Sequence, residues 1–149
     1  MITIRQAHRK DIPEIVRFQA AMALETENLQ LDTSIATLGI TALFDDPGKG
    51  IYFIAEHNNQ PVGSLMITYE WSDWRNGTVW WIQSVYVEKE HRRSGVFALL
   101  YNHVKTIVQE TPELKGLRLY VEKNNRIAQQ VYKNMGMDGE HYHLFEWLK

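Results

Sequence analysis

The sequence predicts an α/β protein of the α+β type: a central, twisted, mixed but mostly antiparallel sheet of about six to seven strands, with helices on both faces. Three observations predict it. Stretches rich in β-branched and aromatic residues at 51–57, 62–70 and 79–87 are separated by the turn signals Asn58-Asn59-Gln60 and Asn76-Gly77, the pattern of an antiparallel meander. Val96, Leu99, Leu100, Val104, Ile107 and Val108 then recur at helical spacing between that meander and a further apolar stretch at 117–121, as in a right-handed β-α-β unit. Both faces of 79–87 are mostly apolar, so this strand is central and covered on each side.

Length and composition narrow the classes. At 149 residues, with 44% hydrophobic and 11% aromatic residues, the chain reads as one domain with one core. A formal charge of −2 without a long basic run argues against nucleic acid as a partner. There is no cysteine, so neither a disulfide nor a thiolate nucleophile is available, and six scattered histidines give no metal-ligand spacing. No apolar stretch approaches the ~20 residues of a membrane span, and the chain opens on the strand-like Ile2-Thr3-Ile4-Arg5. A cytoplasmic protein that does not engage membranes is expected.

After the first strand, Asp11-Ile12-Pro13-Glu14 combines an N-cap aspartate, an early proline and a glutamate three residues after the cap, and Ile15, Phe18, Ala21 and Met22 continue the helix. From Glu25 to Asp32 the period breaks, giving a loop before a second helix that opens at Thr33 or Ser34 and stops near Asp45-Asp46-Pro47-Gly48. The carboxylates of this loop are ordinary for a solvated surface. In the meander, alternation puts Trp81, Gln83, Val85 and Val87 on one face and Trp80, Ile82, Ser84 and Tyr86 on the other. Trp80 and Trp81 read as core, whereas Trp71 and Trp74 lie near a loop. The helix after Gly95 ends before Thr111-Pro112. Residues 117–121 form a short buried strand parallel to 79–87, residues 125–134 the last helix, closed by Gly136, and residues 141–148 a final strand.

The connection between the central strand and its helix carries the chemistry. Arg92-Arg93-Ser94-Gly95-Val96-Phe97-Ala98 is a basic turn that opens a helix, whose first N–H groups and dipole favour a polyphosphate held close; Gly95 lets the backbone approach it. About thirty residues on stands a second pattern: Asn124, Ala128, Tyr132, Gly136 and Met137. In this order and context the two motifs resemble those of the GCN5-related N-acetyltransferase (GNAT) family, an Arg/Gln-x-x-Gly-x-Gly/Ala turn and an Asn-x-x-x-Ala-x-x-x-Tyr-x-x-x-Gly-Phe pattern. Phe97 stands where the family has a small residue, and Met137 where it has Phe.

The resemblance implies a GNAT-like fold and acetyl-CoA as co-substrate, without a metal. The backbone at Val85 and Val87 would hold the pantetheine arm as an added strand, the N–H groups of residues 93–98 the pyrophosphate, with charge from Arg92 and Arg93, and Asn124 would border the pantetheine from the other side. Tyr132 would give its proton to the departing thiolate; its plain alternative is a core aromatic. In the family the stretch around Glu25, Glu27 and Asp32 walls the acceptor site, and several relatives carry a carboxylate where this chain has Gln83, which leaves a relayed water, Glu70 or Glu25 as base. The implied activity is acetyl transfer to a primary amine of a small molecule or protein by direct attack, in a homodimer. The alternative is a module that binds an acyl-CoA without turnover, as a sensor or subunit.

Overall fold

Asn58 and Asn59 both adopt positive φ (51° and 60°), which two-residue hairpin turns require. They join β2 (Ile51–His57) to β3 (Gln60–Ser72), and a longer turn with Asn76 at φ 48° leads to β4 (Gly77–Val87). The computed structural model describes residues 1–149 and places this meander in a five-stranded sheet of order β1-β2-β3-β4-β5, where β1 is Ile2–Gln6 and β5 is Leu114–Leu119. Every pair is antiparallel except β4 with β5, which is parallel. The helices are α1 (Ile12–Glu27), α2 (Thr33–Asp45), α3 (Val96–Glu110) and α4 (Arg126–Asn134), with short 3-10 turns at Arg9–Asp11 and Lys89–His91. The chain divides into two units, Met1–Leu119 and Tyr120–Lys149.

In the first unit, alternation sorts β2 between two layers. Tyr52 and Ile54 face α1 and α2, in one cluster with Ile15, Ile40 and Leu43. Phe53 faces the other way, its ring 5.4 Å from that of His103 on α3 and 6.4 Å from that of Trp80. Ile15, Phe18, Ile54, Leu65, Ile67, Leu100 and Val104 lose all contact with water. At Gly50 a Cβ would lie 2.4 Å from the Ile67 carbonyl, so the start of β2 reaches β3 only without a side chain there.

Several expected boundaries move. β5 begins three residues before and ends two residues before the expected 117–121, because its register follows β4, from Thr78↔Leu114 to Ile82↔Leu119. It is half-buried rather than buried. Residues 141–148 form no strand, which leaves five strands where six to seven were expected; alternation alone makes no ladder without a paired neighbour. α1 runs on through Glu27 and stops at Asn28, in the left-handed conformation, so the loop is only 28–32. Asp32 caps α2, accepting from the N–H groups of Ser34 and Ile35.

Asp11 stands next to α1 but its side chain does not cap it. The carboxylate instead accepts two bonds from Arg5 (2.8 and 2.9 Å) and one from the His8 N–H (2.7 Å), and Arg5 continues to Glu56 at 2.7 Å. Asp11 is buried, so Asp11→Ala would leave Arg5 with Glu56 alone and the His8 N–H without its acceptor, and should destabilise the fold by about 2 kcal/mol in denaturant titrations. The Arg5 bond, ahead of other causes, holds the Asp11 carboxyl below its usual range. Its contribution is therefore complete above the ordinary aspartate pKa of about 3.9, and is lost as pH falls through the lower folded value.

Candidate functional site

The site in the first unit starts from an irregularity in β4. Ser64 pairs with Tyr86 but Met66 with Gln83, so Leu65 alone spans Ser84 and Val85, and Ser84 takes φ 53°. This β-bulge reverses the alternation. Gln83 and Trp81 lie on the face covered by α1 and α2, and Tyr86 returns to that face, its ring 5.2 Å from that of Phe18. Val85 and Val87 turn to the α3 face. The expected grouping of 81, 83, 85 and 87 on one face therefore breaks at the bulge.

The bulge coincides with the end of the β4–β5 pairing at Ile82↔Leu119. Beyond it, Gln83 to Val87 has β3 on one side and no strand on the other. The Glu88 N–H donates to the Val62 carbonyl at 2.8 Å, so strand alternation turns the N–H and C=O groups of Val87, and of Val85 two residues before it, away from β3. Apart from the Val87 carbonyl, which accepts from Arg92, these groups form an open edge that an extended ligand carrying amides can complete.

Immediately after this edge the chain turns into α3. Arg93 and Gly95 are both left-handed, at φ 63° and 82°. A Cβ on Gly95 would meet nothing within 4 Å, so glycine is needed there for its backbone conformation rather than for space. The first helical bond runs from the Leu99 N–H to the Gly95 carbonyl at 3.0 Å, which leaves the N–H groups of Val96 and Ala98 outside the helical ladder, at its positive end. The Phe97 ring leans along α3 towards Tyr101, 6.2 Å away, so the larger residue is accommodated beside the helix. The Ser94 hydroxyl donates to the His91 carbonyl and closes the turn on itself.

Arg92 is engaged elsewhere. Its Nε donates to the Val87 carbonyl at 2.8 Å, its Nη2 to Glu25 at 2.7 Å, and the guanidinium lies 5.4 Å from the centre of the Tyr86 ring. Lys89 adds a second cation 3.7 Å from Glu25. The Arg92 hydrogen bond, then the charges of Arg92 and Lys89, hold the Glu25 carboxyl below its usual range. The last turn of α1 is thereby tied to the connection after β4, and Glu27 stands exposed one turn-fraction further on.

Glu70, Gln83 and Trp81 come together on the α1/α2 face. Glu70 accepts from the Trp81 indole at 2.8 Å and from Arg118 of β5 at 2.6 Å, and the Gln83 amide donates to the Thr68 hydroxyl at 2.5 Å. The indole bond first, then Arg118, holds the Glu70 carboxyl below its usual range, which makes it a weak proton acceptor at neutral pH. Arg118 was not singled out from the sequence, and Trp81 only as a core residue. Arg118 sits between two leucines on β5, so alternation marks it as facing opposite to them, but nothing local names Glu70 as its partner.

The second unit carries Asn124 and Tyr132. Asn125 caps α4, accepting from the Ala128 N–H at 3.0 Å, and Gly136 closes it at φ 92°. Asn124 is exposed and its carbonyl accepts from the Arg126 N–H. Tyr132 lies one turn after Ala128, and burial raises its phenol pKa, so it holds its proton at neutral pH.

An open strand edge running into a left-handed turn at a helix N-terminus is an arrangement suited to an extended ligand ending in an anion. The chain belongs to the acetyltransferase (GNAT) family, whose pattern matches residues 13–137. It is similar to the crystal structure of a possible acetyltransferase from Clostridium difficile 630, with 42% identity over 100% of this chain and 98% of that one and a TM-score of 0.93. The fold is also that of a predicted acetyltransferase with acetyl-CoA from Clostridium acetobutylicum, at 20% identity, 98% and 96% coverage and a TM-score of 0.76. No curated protein matches the chain. No helix is long and apolar enough to cross a membrane.

Proposed function

We propose that the protein transfers the acetyl group of acetyl-CoA to a primary amine of a small molecule or protein by direct attack. The observation that carries this reading is the half-paired segment from Gln83 to Val87 leading into the turn at Arg93 and Gly95. The amide groups of pantetheine pair with the outward Val85 C=O and Val87 N–H, the Val87 carbonyl being held by Arg92 and the Val85 N–H left for the reacting carbonyl, and the pyrophosphate takes the N–H groups at the start of α3, from Arg93 to Ala98, with the Arg92 charge nearby. For Asn124, a role in binding pantetheine is supported by its place in the family pattern alone.

In the reaction, the amine lone pair attacks the thioester carbonyl carbon and the oxygen takes up negative charge beside the N–H at Val85. The C–S bond then breaks with its electron pair on sulfur, Tyr132 supplies the proton that makes the free thiol, and the proton shed by the attacking nitrogen passes through solvent and restores the phenol. The attacking nitrogen must first lose a proton: a lysine-like amine of pKa ~10.4 costs about 4.6 kcal/mol at pH 7. Glu25 and Glu70, both ion-paired with lowered pKa values, are poor bases, so the acceptor's own ionisation, with water at Gln83, governs the rate. The acidic limb of kcat/KM should accordingly move with the acceptor when two amines differing by two or more pKa units are compared. A limb fixed at one pH for both amines would show a protein base instead.

The engagement of Arg92 has its own consequence. Glu25 competes with a pyrophosphate for Arg92 and lowers the positive potential of the turn. Glu25→Gln should tighten CoA binding by roughly 3- to 10-fold in calorimetry, with the gain shrinking as salt is raised. The same substitution weakens a cationic acceptor if Glu25 also forms the acceptor wall, which appears as a rise in the KM of the amine alone.

A further inference from the structure

Arg93 takes φ 63°, a conformation that a residue other than glycine keeps only where its surroundings fix it. The Ser94 hydroxyl on the His91 carbonyl closes the turn from within. The restraint from outside comes from α1. Arg17 donates to Glu88, the first residue after β4, and to Glu14 in the preceding helical turn at 2.8 and 3.0 Å. Its guanidinium also lies 5.0 Å from the centre of the Phe18 ring; Phe18, fully buried, stacks on Tyr86 at 5.2 Å, and Tyr86 carries the guanidinium of Arg92. The segment 88–92 is thus seated on α1 at both ends, Glu88 through Arg17 and Arg92 through Glu25, with the Phe18–Tyr86 pair between them. Glu88 is also the backbone pivot of that segment: its N–H donates to the Val62 carbonyl at 2.8 Å and its carbonyl accepts from the His91 N–H at 2.9 Å. A displacement of Glu88 is therefore passed through the 3-10 turn Lys89–His91 to the left-handed turn that follows.

We propose that Arg17 and Glu88 are positioning residues for the cofactor turn: they touch no ligand, and their ion pair holds the segment 88–92 so that the N–H groups from Arg93 to Ala98 stand ready for the pyrophosphate. The proposal rests on the reading that this turn receives CoA. A turn fixed in advance is not ordered at the moment of binding, so the ion pair contributes to affinity without contact. Arg17 is occupied by two carboxylates and stands across Phe18 and Tyr86 from Arg92, so its own charge is compensated where it lies. Glu88 gives the proposal its sign. By charge alone, loss of a carboxylate near the site of a polyanion favours binding. By position, loss of Glu88 frees the pivot of the turn and weakens binding. Glu25 differs because its partner Arg92 borders the turn and serves the ligand once released, whereas the partner of Glu88 does not.

Calorimetric titration of the full chain with CoA tests this, with thermal melts to establish that each variant is folded at the titration temperature. Glu88→Ala should weaken CoA binding by roughly 5- to 20-fold, and Arg17→Met, which keeps the apolar stem over Phe18, by a similar factor. Because both remove one bond, the double variant should stay within about 2-fold of the weaker single variant. Arg17→Lys keeps a cation within reach of Glu88 and should recover most of the affinity that Arg17→Met loses. A Glu88→Ala variant that binds CoA as tightly as the parent or more tightly overturns the proposal, and so does a double variant whose loss is the product of the two single losses. Melting temperatures that fall while CoA affinity holds would show a structural role only and overturn it equally. Should Glu88→Ala fail to fold, the Arg17 pair decides: equal affinities in Arg17→Lys and Arg17→Met contradict the positioning role. A parent that does not bind CoA refutes the cofactor reading itself, whereas a parent that binds, with variants unaffected, leaves that reading standing and removes the positioning role alone.

Discussion

Replacing Tyr132 by Phe should lower kcat by roughly 100-fold, the range for loss of a general acid, with the KM for acetyl-CoA little changed. The substitution keeps the ring and removes only the hydroxyl. Burial keeps the phenol protonated, so its donor capacity persists across the neutral range and fails only on the alkaline side of the ordinary tyrosine value of about 10. The parent enzyme should therefore show no loss of acid catalysis between pH 6 and pH 9. Steady-state kinetics across that range checks both statements. Wild-type kcat in Tyr132→Phe would return the residue to a packing role in α4.

Gly95→Glu should weaken CoA binding at least 10-fold. Two effects act together. The left-handed backbone at φ 82° costs a side chain about 1–2 kcal/mol, which the fold can bear because nothing lies within 4 Å of the new Cβ. The carboxylate also adds a negative charge at the helix N-terminus that is proposed to receive the pyrophosphate, and repels it. Gly95→Ala carries the first effect without the second, so it should reproduce the small loss of stability and keep most of the affinity. Calorimetry on both variants, with thermal melts alongside, separates the backbone cost from the charge. Equal CoA affinity in Gly95→Glu and the parent would remove the turn from the cofactor site.

Much of this was legible because it is local. The turn residues Asn58, Asn59 and Asn76, the bounds of α3 between Gly95 and Thr111, and the closure of α4 by Gly136 each follow from backbone preferences within a few residues. The bulge at Ser84 was not legible: alternation counts residues on one strand, whereas a bulge is a mismatch between two, and serine gives no special warning of a left-handed φ. Nor was the register of β5, set by pairing with β4. The ion pairs that define the electrostatics, Arg92 with Glu25 and Arg118 with Glu70, join residues 67 and 48 positions apart, and the sequence offers each charge many equivalent partners. Asp11 shows the same limit at short range. Its position suggests a cap, but a bidentate guanidinium is the stronger partner for a buried carboxylate.

The central claim is that this chain moves an acetyl group from CoA sulfur to an amine nitrogen. Quenched-reaction mass spectrometry over a panel of primary amines, polyamines and peptides tests it most directly, with free thiol and acetylated acceptor counted in the same samples. The expected result is one thiol released for each acetylated amine, for at least one acceptor, and a parallel fall of both products in Tyr132→Phe. If the protein binds CoA in calorimetry yet releases thiol no faster than buffer with every amine, transfer is contradicted and an acyl-CoA-binding module without turnover takes its place.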